Sequence, residues 1–223
     1  MKYLIANFKS ELNNFQLKNW IDDFQKLYIN ENLSENISKN KLAIIICPPF
    51  SMLYMFKELK MQIPEGYIGA QSVSKFANGA HTGEITAESI KDFASYVIIG
   101  HSERRENNYE TEDDILLQIS QAKKYNIKTI LCIRDEKDII HNDADIVAYE
   151  PKYAIGTGIQ PKLSEILDLK TKLKNLNNKP FIYGGSVDNI SLKNYINSPY
   201  IDGCLVGRYC VNASDFVNLI KLI

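Results

Sequence analysis

The feature that most restricts this chain is a rhythm. Eight short apolar runs succeed one another, each followed by a polar or helix-patterned stretch. The runs are YLIA (3–6), LAIIIC (42–47), YIGA (67–70), YVIIG (96–100), KTILCI (128–133), DIVAY (145–149), PFIYG (180–184) and DGCLVG (202–207). They are apolar at adjacent rather than alternate positions, which is the pattern of parallel strands covered on both faces. Helical spacing fills the gaps. Residues 13–28 predict a helix with Phe15, Trp20, Phe24 and Leu27 on roughly one face. Residues 112–126 place Ile115, Ile119 and Ala122 at helical intervals, acids first and lysines last, as the helix dipole favours. Further helices are predicted over 163–176 and 213–223. The fifth unit offers only a short helix within 134–142, and the polar stretch 30–40 reads as a loop on the far face. Eight such units in 223 residues favour an α/β fold closed into a (β/α)8 barrel over an open doubly wound sheet. No linker, low-complexity tract or internal repeat divides the chain, so residues 1–223 are expected to form one domain.

Composition removes several classes of partner. A formal net charge of −1 gives no long-range field for nucleic acid or an anionic membrane, so any bound anion must be held by a local site. The opening MKYLIANFKS has too short an apolar run for a signal peptide, and no stretch approaches the ~20 apolar residues of a membrane span. A cytoplasmic location is expected. Cys47, Cys132, Cys204 and Cys210 show no metal-ligand spacing and read as buried free thiols in a reducing compartment, with no metal site and no disulfide framework.

In a parallel barrel the loops leaving the C-terminal ends of the strands share one rim, and the active site sits there. Asn7 and Lys9 follow the first run, and His101, Ser102 and Glu103 follow the fourth. Glu150 follows the sixth, in YEPKYAIGTG (149–158). GGS (184–186) follows the seventh, and Gly207 and Arg208 follow the eighth. Taken singly, each has an ordinary explanation: a solvated loop acid, a structural histidine, a surface lysine, a tight turn that needs Gly for its dihedrals. Taken together, they place a proton-abstracting carboxylate beside a short flexible lid and Gly-rich loops where a phosphate can bind.

The motifs ANFK (6–9), GAQ (69–71), HTGE (81–84), IIGHSERR (98–105), YEP…AIGTG (149–158), YGGSV (183–187) and DGCLVG (202–207) resemble the triosephosphate isomerase family, in that family's order. The resemblance implies a TIM barrel that interconverts dihydroxyacetone phosphate and glyceraldehyde 3-phosphate through an enediolate, a step of glycolysis and gluconeogenesis, without a cofactor. It implies Glu150 as base, His101 as neutral electrophile, Lys9 as electrostatic stabiliser and Asn7 as a further polar contact. Glu103 would hold Lys9, and Ser102 would lie near Glu150 in the open state. The phosphate would rest on the N–H groups of Gly156, Ser186, Gly207 and Arg208. Residues 150–158, with Pro151, Ile155, Thr157 and Gly158, would form the lid, and Ile155 and Leu205 would clamp the base. Thr82 and Glu84 would brace Asn7 and Lys9 of a partner subunit, so a homodimer is implied.

Three stretches depart from the family pattern. Arg208 stands where a second Gly is usual, and a left-handed backbone there would be strained, which predicts an altered turn. Tyr153 replaces the usual Trp at the lid hinge, and CIRD (132–135) replaces CIGE. Two rival readings are a Schiff-base aldolase using Lys9 and a non-catalytic phosphate-binding barrel.

Overall fold

In a computed structural model, which describes residues 1–63 and 66–223, the eight apolar runs form eight parallel strands. They are β1 (Lys2–Asn7), β2 (Leu42–Cys47), β3 (Gly66–Ala70), β4 (Tyr96–Ile99), β5 (Lys128–Ile133), β6 (Ile146–Tyr149), β7 (Phe181–Tyr183) and β8 (Gly203–Val206). Each pairs with its sequence neighbours, and β8 closes onto β1 through Tyr3↔Gly203, Leu4↔Cys204, Ile5↔Leu205 and Ala6↔Val206. The result is a closed (β/α)8 barrel. The helices of the described residues are α1 (Asn14–Asn30), α2 (Leu33–Lys39), α3 (Leu53–Gln62), α4 (Ala87–Ile90), α5 (Ser102–Asn107), α6 (Glu112–Lys124), α7 (Leu163–Lys172), α8 (Asn189–Ile196) and α9 (Ala213–Lys221).

Strands apolar on both faces produce two separate cores. Ile5, Ile45, Ile98, Ile130, Ile146 and Ile182 fill the barrel interior, while the alternate residues of the same strands pack outward under the helices. On the outer side Trp20 stacks on Phe24 with ring centroids 4.9 Å apart, meets Phe8 edge-on, and donates its indole N–H to the Cys210 carbonyl. All four cysteines are free and buried.

Three local expectations are corrected. Phe15 is not on the buried face of α1 but 73% exposed. Five residues separate it from Trp20, about 140° off at roughly 100° per residue, so Leu17, Trp20, Ile21, Phe24 and Tyr28 form the stripe instead. The polar stretch 30–40 is not all loop, because Leu33 and Ile37, one turn apart, bury themselves and carry α2. The segment 134–142 forms no helix: the Asp138 carboxylate accepts from the Arg134 backbone N–H (2.7 Å) and guanidinium, folding the segment back on itself.

Candidate active site

The two-residue period of a strand decides which side chains reach the barrel mouth. Ile5 faces the interior, so Asn7 does too, one layer nearer the rim. Ile146 and Ala148 face inward, and Glu150 continues their row. At this end lies a cleft of about 210 Å³ that brings together Asn7 and Lys9 after β1, His101 after β4 and Glu150 after β6. Ile155, Gly156 and Gly158 of the lid also line it, as do Ser186, Leu205, Gly207 and Arg208.

Glu150 is 1% exposed, and its Oε2 has no hydrogen-bond partner among the described residues. Burial raises its pKa above the usual carboxylate value, against the opposing pull of His101, the Cys132 thiol and Lys9. Its Oε1 lies 3.4 Å from His101 Nε2. A desolvated carboxylate with one oxygen unpaired is a stronger base than a solvated one.

His101 is fixed by its place before α5. Its Nδ1 accepts the Glu103 backbone N–H at 3.2 Å, as the N-cap side chain of that helix. A nitrogen that accepts carries no proton, so the ring is neutral with its N–H at Nε2, on the side of Glu150 and the cleft. Ser102, expected near Glu150 when the lid is open, is buried at the first position of α5, and in this state Glu150 meets His101.

Lys9 has left-handed backbone, with φ 49°. Its N–H donates to Asn7 Oδ1 (3.1 Å), and its carbonyl accepts from Gln71 Nε2 (2.9 Å), which also donates to the Cys47 carbonyl. Its ammonium pairs with Glu103. Gln71 is the residue that sequence reasoning passed over. It stands directly after β3, within the GAQ motif, where a polar side chain at the rim was signal enough. Cys132, a small buried residue of the barrel interior, also bears on the site, since its thiol is one of the groups that hold the Glu150 pKa down against burial.

The paired glycines after β7 serve space rather than dihedral freedom, since neither has positive φ. A Cβ on Gly184 would lie 2.7 Å from Glu150 Cγ, and one on Gly185 would lie 1.9 Å from the Tyr183 hydroxyl. The lid does use left-handed backbone, at Gly156 (φ 68°) and Gly158 (φ 79°). It begins with Pro151 and a 3-10 turn over Lys152–Ala154, and the Thr157 hydroxyl ties back to the carbonyl of the half-exposed Tyr153. Ser186 latches it: its Oγ donates to the Ala154 carbonyl (2.6 Å) and accepts the Gly158 N–H (3.1 Å).

That latch also engages the Ser186 N–H, which donates to the Ala154 carbonyl at 3.1 Å and is therefore not free for an anion in this state. The N–H groups of Gly156 and Arg208 have no acceptor among the described residues. Arg208 opens a 3-10 turn after β8 without positive φ, so no left-handed strain arises there. Thr82 and Glu84 are exposed in the loop after β3, outside the cleft, separated by Gly83 with φ 91°. No helix among the described residues is long and apolar enough to cross a membrane.

Fold and cleft together define a (β/α)8-barrel protein with a titratable C-terminal rim. Comparison with known sequences narrows the class. Residues 2–223 match the family model described as Triosephosphate isomerase. The chain is 32% identical to the triosephosphate isomerase of Mycoplasma mobile over 99% of both chains. It is 34% identical to that of Nostoc sp. over 80% of this chain and 83% of the relative. The chain belongs to the triosephosphate isomerase family.

Proposed function

We propose that the protein interconverts dihydroxyacetone phosphate and glyceraldehyde 3-phosphate, with the chemistry carried by Glu150, His101 and Lys9. Glu150 takes a proton from the hydroxymethyl carbon of the ketose. The C–H electron pair becomes the enediolate double bond, and negative charge develops on the former carbonyl oxygen. The Nε2–H of His101 and the Lys9 ammonium stabilise that charge, with Asn7 as a further polar contact. Return of the proton from Glu150 to the neighbouring carbon, with the remaining hydroxyl proton passing by way of His101 Nε2 to the former carbonyl oxygen, gives the aldose, so the base is regenerated and no cofactor takes part.

The observation that carries this reading is the buried, partner-poor Glu150 carboxylate 3.4 Å from an imidazole nitrogen in a cleft that Lys9 also lines. Ile155 and Leu205 supply apolar surface around it. The Gly156, Gly207 and Arg208 N–H groups would receive the phosphate, with Ser186 joining on exchange of its Ala154 bond. The lid over 150–158 would keep water from the enediolate. Lys9 fits this role better than that of a Schiff-base nucleophile, because an ammonium bound to the Glu103 carboxylate is not a free amine. A homodimer in which Thr82 and Glu84 reach the partner's site belongs to the same reading, and so does a cytoplasmic location, which the four free cysteines favour.

A coupled assay with glyceraldehyde 3-phosphate tests it. Turnover should be present in the wild type and fall by orders of magnitude in Glu150→Asp, whose carboxylate is one methylene short. An unaffected rate would remove Glu150 from its role. Sedimentation should give a dimer that Thr82 and Glu84 substitutions loosen.

A further inference from the structure

Arg208 is an exposed cation on the cleft without a carboxylate to pair with. Among the described residues no acid lies within ion-pair distance of it, whereas the neighbouring ammonium, Lys9, is neutralised by Glu103. The two cations share one edge of the rim, for Lys9 Cε would lie 3.7 Å from a Cβ on Gly207, the residue next to Arg208. The carboxylates that line the cleft are not ion-paired with Arg208. Asp188 caps α8 through the N–H groups of Ile190 and Ser191 and accepts from Gln160, Glu150 is buried, and Glu11 lines the cleft without an ion pair among the described residues. A guanidinium at the cleft with its donors not engaged by a carboxylate is available to an anion that enters.

We infer that the Arg208 side chain is a specificity-determining contact, closing on the phosphate of the bound triose from the side opposite the lid. The planar guanidinium presents two parallel N–H donors to phosphate oxygens, which a glycine at this position could not do. The chain has almost no net charge to draw anions in, so a local cation at the mouth supplies that attraction. This inference rests on the phosphorylated ligand of the proposed function and adds a side chain to it.

The experiment measures inorganic phosphate binding by calorimetry and KM for glyceraldehyde 3-phosphate in the wild type, Arg208→Gln, Arg208→Lys and Glu11→Gln, with melting curves to confirm folding. Arg208→Gln should weaken phosphate binding and raise KM about tenfold, the scale of one charge-assisted contact, with most of the loss in KM rather than kcat. Arg208→Lys should recover part of the loss, and Glu11→Gln should not weaken phosphate binding. Wild-type affinity and KM in Arg208→Gln would overturn the inference. So would an equal loss in Glu11→Gln, which would make Arg208 a structural partner of Glu11. Phosphate binding that depends on Arg208 in a protein without turnover would discard the isomerase reading and keep the anion contact.

Discussion

Nε2 of His101 lies 3.4 Å from Oε1 of Glu150, and both side chains are shut off from solvent. Contact with a neutral imidazole N–H does not compensate a buried carboxylate fully, and burial is the main reason its pKa is raised.

This fixes the sign of two pH effects. Proton abstraction needs the ionised base, so kcat/KM should fall as pH drops through a pKa above the ordinary carboxylate value of 4.5. Stability runs the other way. Between the unfolded value and the raised folded value the native state binds more protons, so the group's contribution to stability is present at low pH and lost as pH rises through that window. Glu150→Gln should therefore melt higher than wild type at pH 7, converge with it below pH 4.5, and lack turnover. Thermal melts across pH 4–7 check this, and a mutant less stable at pH 7 would refute the burial argument.

His101 has two jobs that a substitution can separate. Its Nδ1 caps α5, and its Nε2 faces Glu150 and the cleft, where the proposed reaction would place the substrate oxygens. Asn can accept the Glu103 N–H in the same place but cannot present Nε2–H. His101→Asn should lower kcat roughly 10²- to 10³-fold, the scale of losing one oxyanion donor, with little change in melting temperature. His101→Ala should lose the same activity and also about 1 kcal/mol of capping. Equal melting of the two variants would show that the cap contributes nothing.

Much of this was legible in the sequence, for reasons that differ by element. The strands announced themselves because barrel strands are apolar on both faces, and the parity of Ile5–Asn7 and Ala148–Glu150 carries an inward row one step past the end of its strand. The helices were harder. Leu33 and Ile37 are a single apolar pair in a polar stretch, too little for a periodic signal, and Phe15 is apolar yet lies off the stripe. The Gly184–Gly185 pair showed that Gly was needed but not why, since crowding by Glu150 and Tyr183 arises only when separate strands meet. The contact of Gln71 with the Lys9 carbonyl spans 62 positions and leaves no local pattern.

That contact gives a third prediction. Lys9 holds φ 49°, a conformation about 1–2 kcal/mol unfavourable for a residue with a Cβ, and Gln71 is the side chain that bonds its carbonyl. In Gln71→Ala the Lys9 and Cys47 carbonyls lose their shared donor, so stability should fall by about 1–2 kcal/mol. The Lys9 ammonium should lose its fixed position as well, lowering kcat/KM. Gly at position 9 would not repair the activity, since it removes the ammonium, but Lys9→Gly in the Gln71→Ala background should recover part of the stability. Chemical denaturation of the two single variants and the double variant resolves the coupling.

The glycines after β7 allow the sharpest separation of function from folding. A Cβ at Gly184 would press on Glu150 Cγ at 2.7 Å, a contact that must move either the base or the β7 loop. Displacing a catalytic carboxylate by about 1 Å is enough to cost roughly 100-fold in rate, so Gly184→Ala should lose at least that much kcat while phosphate binding survives. A Cβ at Gly185 would instead overlap the buried Tyr183 hydroxyl at 1.9 Å, where ring packing against Tyr195 and Tyr149 leaves little room to yield. Gly185→Ala should therefore be the more destabilising change, by about 1–3 kcal/mol of overpacking. Removing the hydroxyl relieves the closest contact, so Gly185→Ala combined with Tyr183→Phe should recover stability relative to Gly185→Ala alone. Gly184→Ala with Tyr183→Phe should recover nothing. Melting temperatures and kcat for the four variants decide it, and rescue of Gly184→Ala by the Tyr183 change would contradict the assignment of each glycine to a different neighbour.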